Sequence, residues 1–177
     1  DNIGKGMSIN ALNLICEGNQ VYDNGGDGIY ALQSDGLITG NNIYGNLIGL
    51  HLSASNMTIS NNNIHNNNGC GILNYQGRRG IISANTIWGN GVNTELPFAS
   101  RSGIQLDATN STLIQSNLIG NDAATQTTHR GICLLNTCNK VTIKDNVLYY
   151  LSQPFTKATV TELTIENNVG YVTENSG

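Results

Sequence analysis

The stretch NNNIHNNNGCGI, residues 61–72, packs six asparagines around one Ile-His pair and closes on Gly-Ile. Asparagine is unfavourable inside both helices and strands because its short amide competes for the backbone. Such a density beside apolar residues needs a structural reason, and the rest of the chain supplies one. The pattern recurs as CEGNQVYDN, ITGNNIYGN, ISNNNIHNN, ISANTIWGN, IQSNLIGND, IKDNVLYYL and IENNVGYVT. Its anchoring residues are Asn19, Asn41, Asn62, Asn85, Asn117, Asn146 and Asn168, at steps of 22, 21, 23, 32, 29 and 22.

Three residues before each anchor stand Cys16, Ile38, Ile59, Ile82, Ile114, Ile143 and Ile165. Two residues after come Val21, Ile43, Ile64, Ile87, Ile119, Leu148 and Gly170. A further signature completes the unit: Gly28-Ile29, Gly49-Leu50, Gly71-Ile72, Gly103-Ile104 and Gly131-Ile132. Each unit of about 22 residues reads as three short strands separated by Asn, Gly, Asp and Ser turns. No unit of that size buries an apolar face alone, so the units must stack with equivalent strands in parallel. The predicted architecture is all-β: a single-stranded parallel β-helix of six to seven coils, one domain over residues 1–177. At roughly 4.8 Å per coil it forms a rod on the order of 30 Å long.

Stacking turns each alignment column into a physical stripe. The anchoring asparagines are expected to take both jobs at the turn: the unusual backbone angles, and an inward amide bonded to the coils above and below. A second such column runs through Asn24, Asn46, Asn67, Asn90 and Asp122. Three residues after each anchor come Tyr22, Tyr44, His65, Trp88, Gly120, Tyr149 and Tyr171. This row points outward if the aliphatic column points in. It is a stack of like side chains, a platform for sugar rings, or a subunit interface.

Composition removes several function classes. Charged residues are 11% and hydrophobic ones 38%, a balance that suits a folded chain. A net charge of -4 with eight Lys and Arg gives no footprint for nucleic acid. No apolar run is long enough to cross a bilayer. Cys16, Cys70, Cys133 and Cys138 lack metal-ligand spacing and read as buried thiols, with a Cys133–Cys138 bridge as the alternative. No cofactor is identified. Glu17, Asp23, Asp27 and Asp35 leave calcium open, although the Gly- and Asp-rich calcium nonapeptide is missing.

On these repeats, residues 12–170 resemble the right-handed parallel β-helix proteins of the pectin-lyase-like superfamily. The closing NNVGYVTENSG is similar to the end of the β-helix in pectate-lyase-like proteins of phages and Gram-positive bacteria. The resemblance implies a carbohydrate-active domain, extracellular or virion-associated. It binds a polysaccharide, acidic ones above all, and acts by lyase or hydrolase chemistry. A non-enzymatic spike or adhesion rod and a uronate C5 epimerase are the alternatives. The chain reads as a piece of a longer one, its ends covered by flanking domains or by partners in a homo-oligomer such as a trimer.

Two coils carry extra residues before their Gly-Ile: GVNTELPFASRS (91–102) and AATQTTHR (123–130). Insertions at one corner of a solenoid mark its binding face, and in the resembled enzymes such loops wall a cleft along the Gly-Ile strand. Outward positions on that strand are Tyr30, His51, Leu73, Gln105 and Cys133, with Tyr75 and Asp107 two residues further on. The loops add Glu95, Arg101, Asp122, His129 and Arg130. Arg101 and Arg130 fall on neighbouring coils and suit the carboxylates of an acidic glycan. His51 or His129 is the candidate base for lytic cleavage. Hydrolysis would instead pair Asp107 with Asp122 or Glu95. Tyr30, Tyr75, Tyr44, Trp88, Glu95 and Gln105 are the further candidate contacts. Plain surface roles compete with every one of these assignments.

Overall fold

A computed structural model describes residues 2–32, 35–97, 100–121, 128 and 130–170. Its strands form three parallel sheets. The first has seven strands: Met7–Asn10, Ile29–Leu32, Leu50–Ser53, Ile72–Tyr75, Ser102–Asp107, Arg130–Leu135 and Gln153–Lys157. The second also has seven, running from Leu14–Glu17 through Met57–Ser60 to Val160–Glu166, and the third has six, from Gln20–Tyr22 through Asn63–His65 to Val147–Tyr149. Successive strands of the chain visit the three sheets in turn, so each coil lays one strand on each face of a parallel β-helix.

The registers are those the sequence columns require. Ile38 pairs with Ile59 and Ile59 with Ile82; Ile43 pairs with Ile64 and Ile64 with Ile87. Leu50, Ile72, Ile104 and Ile132 continue one another on the first sheet. These side chains are essentially inaccessible to water. Full burial of each is worth about 1.5–3 kcal/mol.

Glycine stands at the start of the first six first-sheet strands, all but Gln153–Lys157, because there is no room for more. A Cβ on Gly71 would lie 2.7 Å from Ile87 Cγ2 and 2.8 Å from Gly103 O. A Cβ on Gly49 would meet Gly71 O at 2.6 Å and Ile64 Cγ2 at 2.7 Å. The Gly-Ile signature therefore records the close approach of one coil's backbone to the next coil and to the third-sheet isoleucines.

The asparagine ladder runs unbroken from Asn19 to Asn168. Each Nδ2 donates to the next coil's Oδ1, at 2.9 Å for Asn19 to Asn41 and 3.0 Å for Asn41 to Asn62. The steps from Asn62 through Asn85, Asn117 and Asn146 to Asn168 are 2.9–3.0 Å. Asn62 shows the full pattern: Nδ2 also reaches Ile38 O and Ser60 O, while its backbone N–H donates to Asn85 Oδ1. Such saturation is what allows polar side chains to sit beside core.

One expectation needs correction. The ladder asparagines do not take the left-handed backbone; the residue before each one does, as Gly18, Gly40, Asn61, Ala84, Ser116, Asp145 and Asn167, with φ between 53° and 68°. At this corner the two jobs fall to adjacent residues. The opening stretch then reads residue by residue. Asn61 makes the turn, Asn62 bonds, Ile64 fills the core, Asn66 makes the next turn at φ 52° and Asn67 bonds again.

The second ladder joins Asn24, Asn46, Asn67 and Asn90 at 2.8–3.1 Å. Asp122, assigned to its next position, lies outside the described residues. The fully buried amide at this corner is Asn121, which donates to Thr128 O and Tyr150 O and accepts from Thr128 N–H. All four cysteines are buried free thiols. Burial pushes the Cys70 thiol up to about 12, which makes it chemically inert near neutrality.

Candidate functional site

The outward column of the first sheet is confirmed in register: Tyr30 pairs with His51, His51 with Leu73, Leu73 with Gln105, and Gln105 with Cys133. Its two halves differ. Gln105 and Cys133, expected on the open face, are buried. Gln105 Oε1 accepts from the Cys70 thiol at 3.1 Å, and the first insertion closes on the corner just before Cys70. Gly91 N–H donates to Gly69 O, and Leu96 and Ser100 close against Gly69. The second insertion is tied to the same corner where Thr128 Oγ1 donates to Asn90 O at 2.7 Å.

Arg101 and Arg130 do come together on neighbouring coils, Arg130 N–H donating to Arg101 O at 3.4 Å. Their guanidinium groups are engaged within the protein. Arg101 is buried and its Nε donates to Gly91 O at 3.2 Å. Arg130 Nε reaches Gln153 Oε1 at 3.1 Å and its Nη1 lies 3.6 Å from Cys133 Sγ. Glu95 is exposed on the loop, and Asp107 accepts from Asn136 Nδ2 at 2.5 Å. Tyr75 is exposed and its hydroxyl accepts from Gln76 Nε2 at 3.1 Å. His129 and Asp122 lie outside the described residues.

The other half of the column holds a cluster that sequence reasoning saw only in part. His51 Nδ1 lies 2.8 Å from Asp27 Oδ2, with side chains 23% and 9% exposed respectively. A carboxylate can only accept here, so Nδ1 donates, and in the neutral tautomer this leaves the lone pair on Nε2. The Tyr30 ring meets the imidazole edge-on, centroids 4.9 Å apart at 75°. Lys5 Nζ stands 3.0 Å over the Tyr30 ring, a cation–π contact. Four consecutive types of chemistry thus share one patch: an ammonium, a phenol, an imidazole and the carboxylate that orients it. Asp27 is 24 residues from His51 and comes beside it only because the coils stack. Its place immediately before Gly28 was the signal available.

The aromatic column of the third sheet is also real but does something different. Tyr22 and Tyr44 stack at 5.1 Å and 5°, Tyr44 and His65 at 5.0 Å and 11°. Trp88 continues in register, its ring against Gly120, where a Cβ would lie 2.9 Å from Cζ3. Rings stacked along the axis spend their faces on one another and leave edges toward solvent. A sugar-stacking platform needs exposed ring faces, and at Tyr44 both are taken by neighbouring rings. Withdrawal from water pushes the His65 imidazole below its ordinary value.

Comparison with known proteins places the fold. Residues 9–176 match the right-handed β-helix region family, and the chain belongs to it. Among solved structures it is similar to an alginate lyase from Paenibacillus sp. str. FPU-7, with TM-score 0.69 and 16% identity over 93% of this chain and 59% of that one. It is similar to the A-module of the Azotobacter vinelandii mannuronan C-5 epimerase AlgE6, with TM-score 0.70 and 20% identity over 97% of this chain and 50% of that one. A third likeness is to the enzymatically active domain of bacteriophage CBA120 tailspike protein 2, with TM-score 0.51 and 12% identity over 93% of this chain and 32% of that one. The chain thus spans 59% or less of each of these three structures. No curated protein matches it. At these identities the likeness is one of fold.

Proposed function

We propose that this chain is a polysaccharide-acting β-helix, extracellular or virion-associated, whose open first-sheet face removes a proton from a uronate. The observation that carries the reading is the Asp27–His51 pair beside Tyr30 and Lys5. The proton on C5 of a uronate is acidified by the adjacent carboxyl group. A neutral imidazole with a free Nε2 is a suitable base, and a nearby ammonium stabilises the charge that develops on the carboxylate. In the lyase outcome His51 takes the C5 proton, the electron pair forms the C4–C5 double bond, and the C4–O bond breaks. The departing oxygen then receives a proton from the Tyr30 phenol. In the epimerase outcome the C4–O bond stays intact and a proton returns to C5 from the opposite face. Both begin with the same abstraction. An alginate lyase and a mannuronan epimerase among the similar structures support that shared step. Hydrolysis finds less support, since Asp107 is held by Asn136.

The test is incubation with a panel of polyuronates in deuterated water. Deuterium at C5 without fragments identifies an epimerase, and unsaturated non-reducing ends identify a lyase. Absence of both across the panel refutes the reading and leaves the spike or adhesion rod.

A further inference from the structure

A second feature lies outside the His51 patch, at the corner where the first sheet turns into the second. Gln76, Arg78, Thr109, Asn110, Thr137 and Asn139 line an open groove of about 590 Å³. They come from the corners of three successive coils, since Arg78 bridges to Asn110 and Asn110 pairs with Asn139. The coil of Arg78 follows that of His51, because Leu73 pairs with His51. Tyr75 and Asp107 end the strands that lead into this corner, so the groove continues the face that bears His51.

The charge in the groove lining comes from Arg78. Arg78 is exposed, and its guanidinium has no hydrogen-bond or ion-pair partner among the described residues. Its neighbour Arg79 differs, donating through Nε to Asn56 Oδ1. Asn110 spends its oxygen on Ser111 Oγ at 2.7 Å, which leaves its Nδ2 without a partner among the described residues. The same holds for Asn139, whose Oδ1 is buried and unpaired while its amide lines the groove. The adjoining carboxylate, Asp107, is already taken by Asn136. Free donors around one uncommitted cation are complementary to an anion with several acceptor oxygens, and a planar guanidinium matches a carboxylate in bidentate fashion.

We infer that this groove is a subsite for the carboxylate of a uronate unit, holding the chain at a distance from His51. The inference rests on the polyuronate reading above. It assigns Arg78 to binding along the polymer, not to the proton transfer.

The experiment measures equilibrium binding of polygalacturonate and polymannuronate, and of the same polymers after carboxyl reduction, to wild-type, Arg78→Ala and Arg78→Lys chains. Turnover by the His51→Ala chain is followed in parallel. The Arg78 side chain is exposed and makes no hydrogen bond or ion pair with a described residue, so its variants are expected to fold as wild type does. The expected result is about tenfold weaker uronate binding for Arg78→Ala, partial recovery for Arg78→Lys, and no effect of either on the reduced polymers. Unchanged uronate binding by Arg78→Ala, with turnover still abolished by His51→Ala, overturns the subsite and leaves the proposed function standing. Equal losses on charged and reduced polymers overturn the carboxylate assignment. A wild-type chain that neither binds nor converts any polyuronate overturns both, and is recognised by the failure of the wild type itself.

Discussion

His51 and His65 occupy outward positions on two faces of the same rod, each flanked by tyrosine, and the fold uses them in opposite ways. On the third sheet Tyr22, Tyr44 and His65 lie parallel, so the Tyr44 ring has another ring on each face. On the first sheet Tyr30 meets His51 edge-on, and the imidazole is tied through Nδ1 to Asp27. The first arrangement hides π-faces and gains packing. The second orients the imidazole through its Nδ1. A column of like residues in a solenoid is therefore no guide to function until ring orientation and the off-column partner are known.

The comparison can be broken most sharply at the two histidines themselves. His51→Ala should lower turnover on a polyuronate about 10²–10⁴-fold with little change in unfolding midpoint, whereas His65→Ala should leave turnover intact; rate assays beside urea melts decide it. A His65 variant with the larger loss of rate would reverse the assignment of the two faces.

Asp27→Asn separates orientation from chemistry. The amide can no longer act as a charged acceptor for Nδ1–H, so turnover should fall about tenfold to a hundredfold and the rate should respond to pH differently from wild type. A pH–rate profile that simply scales down would argue that Asp27 has no hold on the His51 tautomer.

On the packing face, Gly120→Ala drives a methyl into Trp88 and toward Tyr149 O, 2.5 Å from the Cβ position. A loss of about 1–3 kcal/mol in urea unfolding is expected, with the rate per folded molecule unchanged.

The smallest effect is a pH dependence at His65. Its folded pKa lies below the ordinary 6.5, so the unfolded chain binds the proton more readily. The stability it contributes is fully present above the unfolded value and is lost as pH falls through the folded one. His65→Phe keeps a ring in the stack and should flatten that acid-side decline, which melts between pH 7 and pH 4 would show.

Much of the fold was legible because one constraint repeats seven times. Ile59, Ile64 and Asn62 each fall in a column of the repeat, and the registers and ladder follow those columns. The split between the ladder asparagine and its left-handed predecessor was hidden, because Gly18, Ala84, Ser116 and Asp145 share a backbone angle and no side-chain chemistry. The site was legible in half. Tyr30 and His51 follow from alternation along a strand, whereas Asp27 and Lys5 reach them only through the coil below. Gln105 also follows from alternation, yet it is buried with its amide oxygen on the Cys70 thiol. Alternation says which way a side chain leaves the sheet, not what lies on top of it.

By itself the sequence determined the solenoid, its coil boundaries and the rows that run along it, because local strand and turn preferences repeat in phase and leave a single way to bury the isoleucines. The tertiary structure alone decided which row stacks ring on ring and which brings an imidazole to a carboxylate. That choice depends on ring orientation, on carboxylates a full coil away and on where the insertions come to rest, and none of these is encoded in the spacing of residues along the chain.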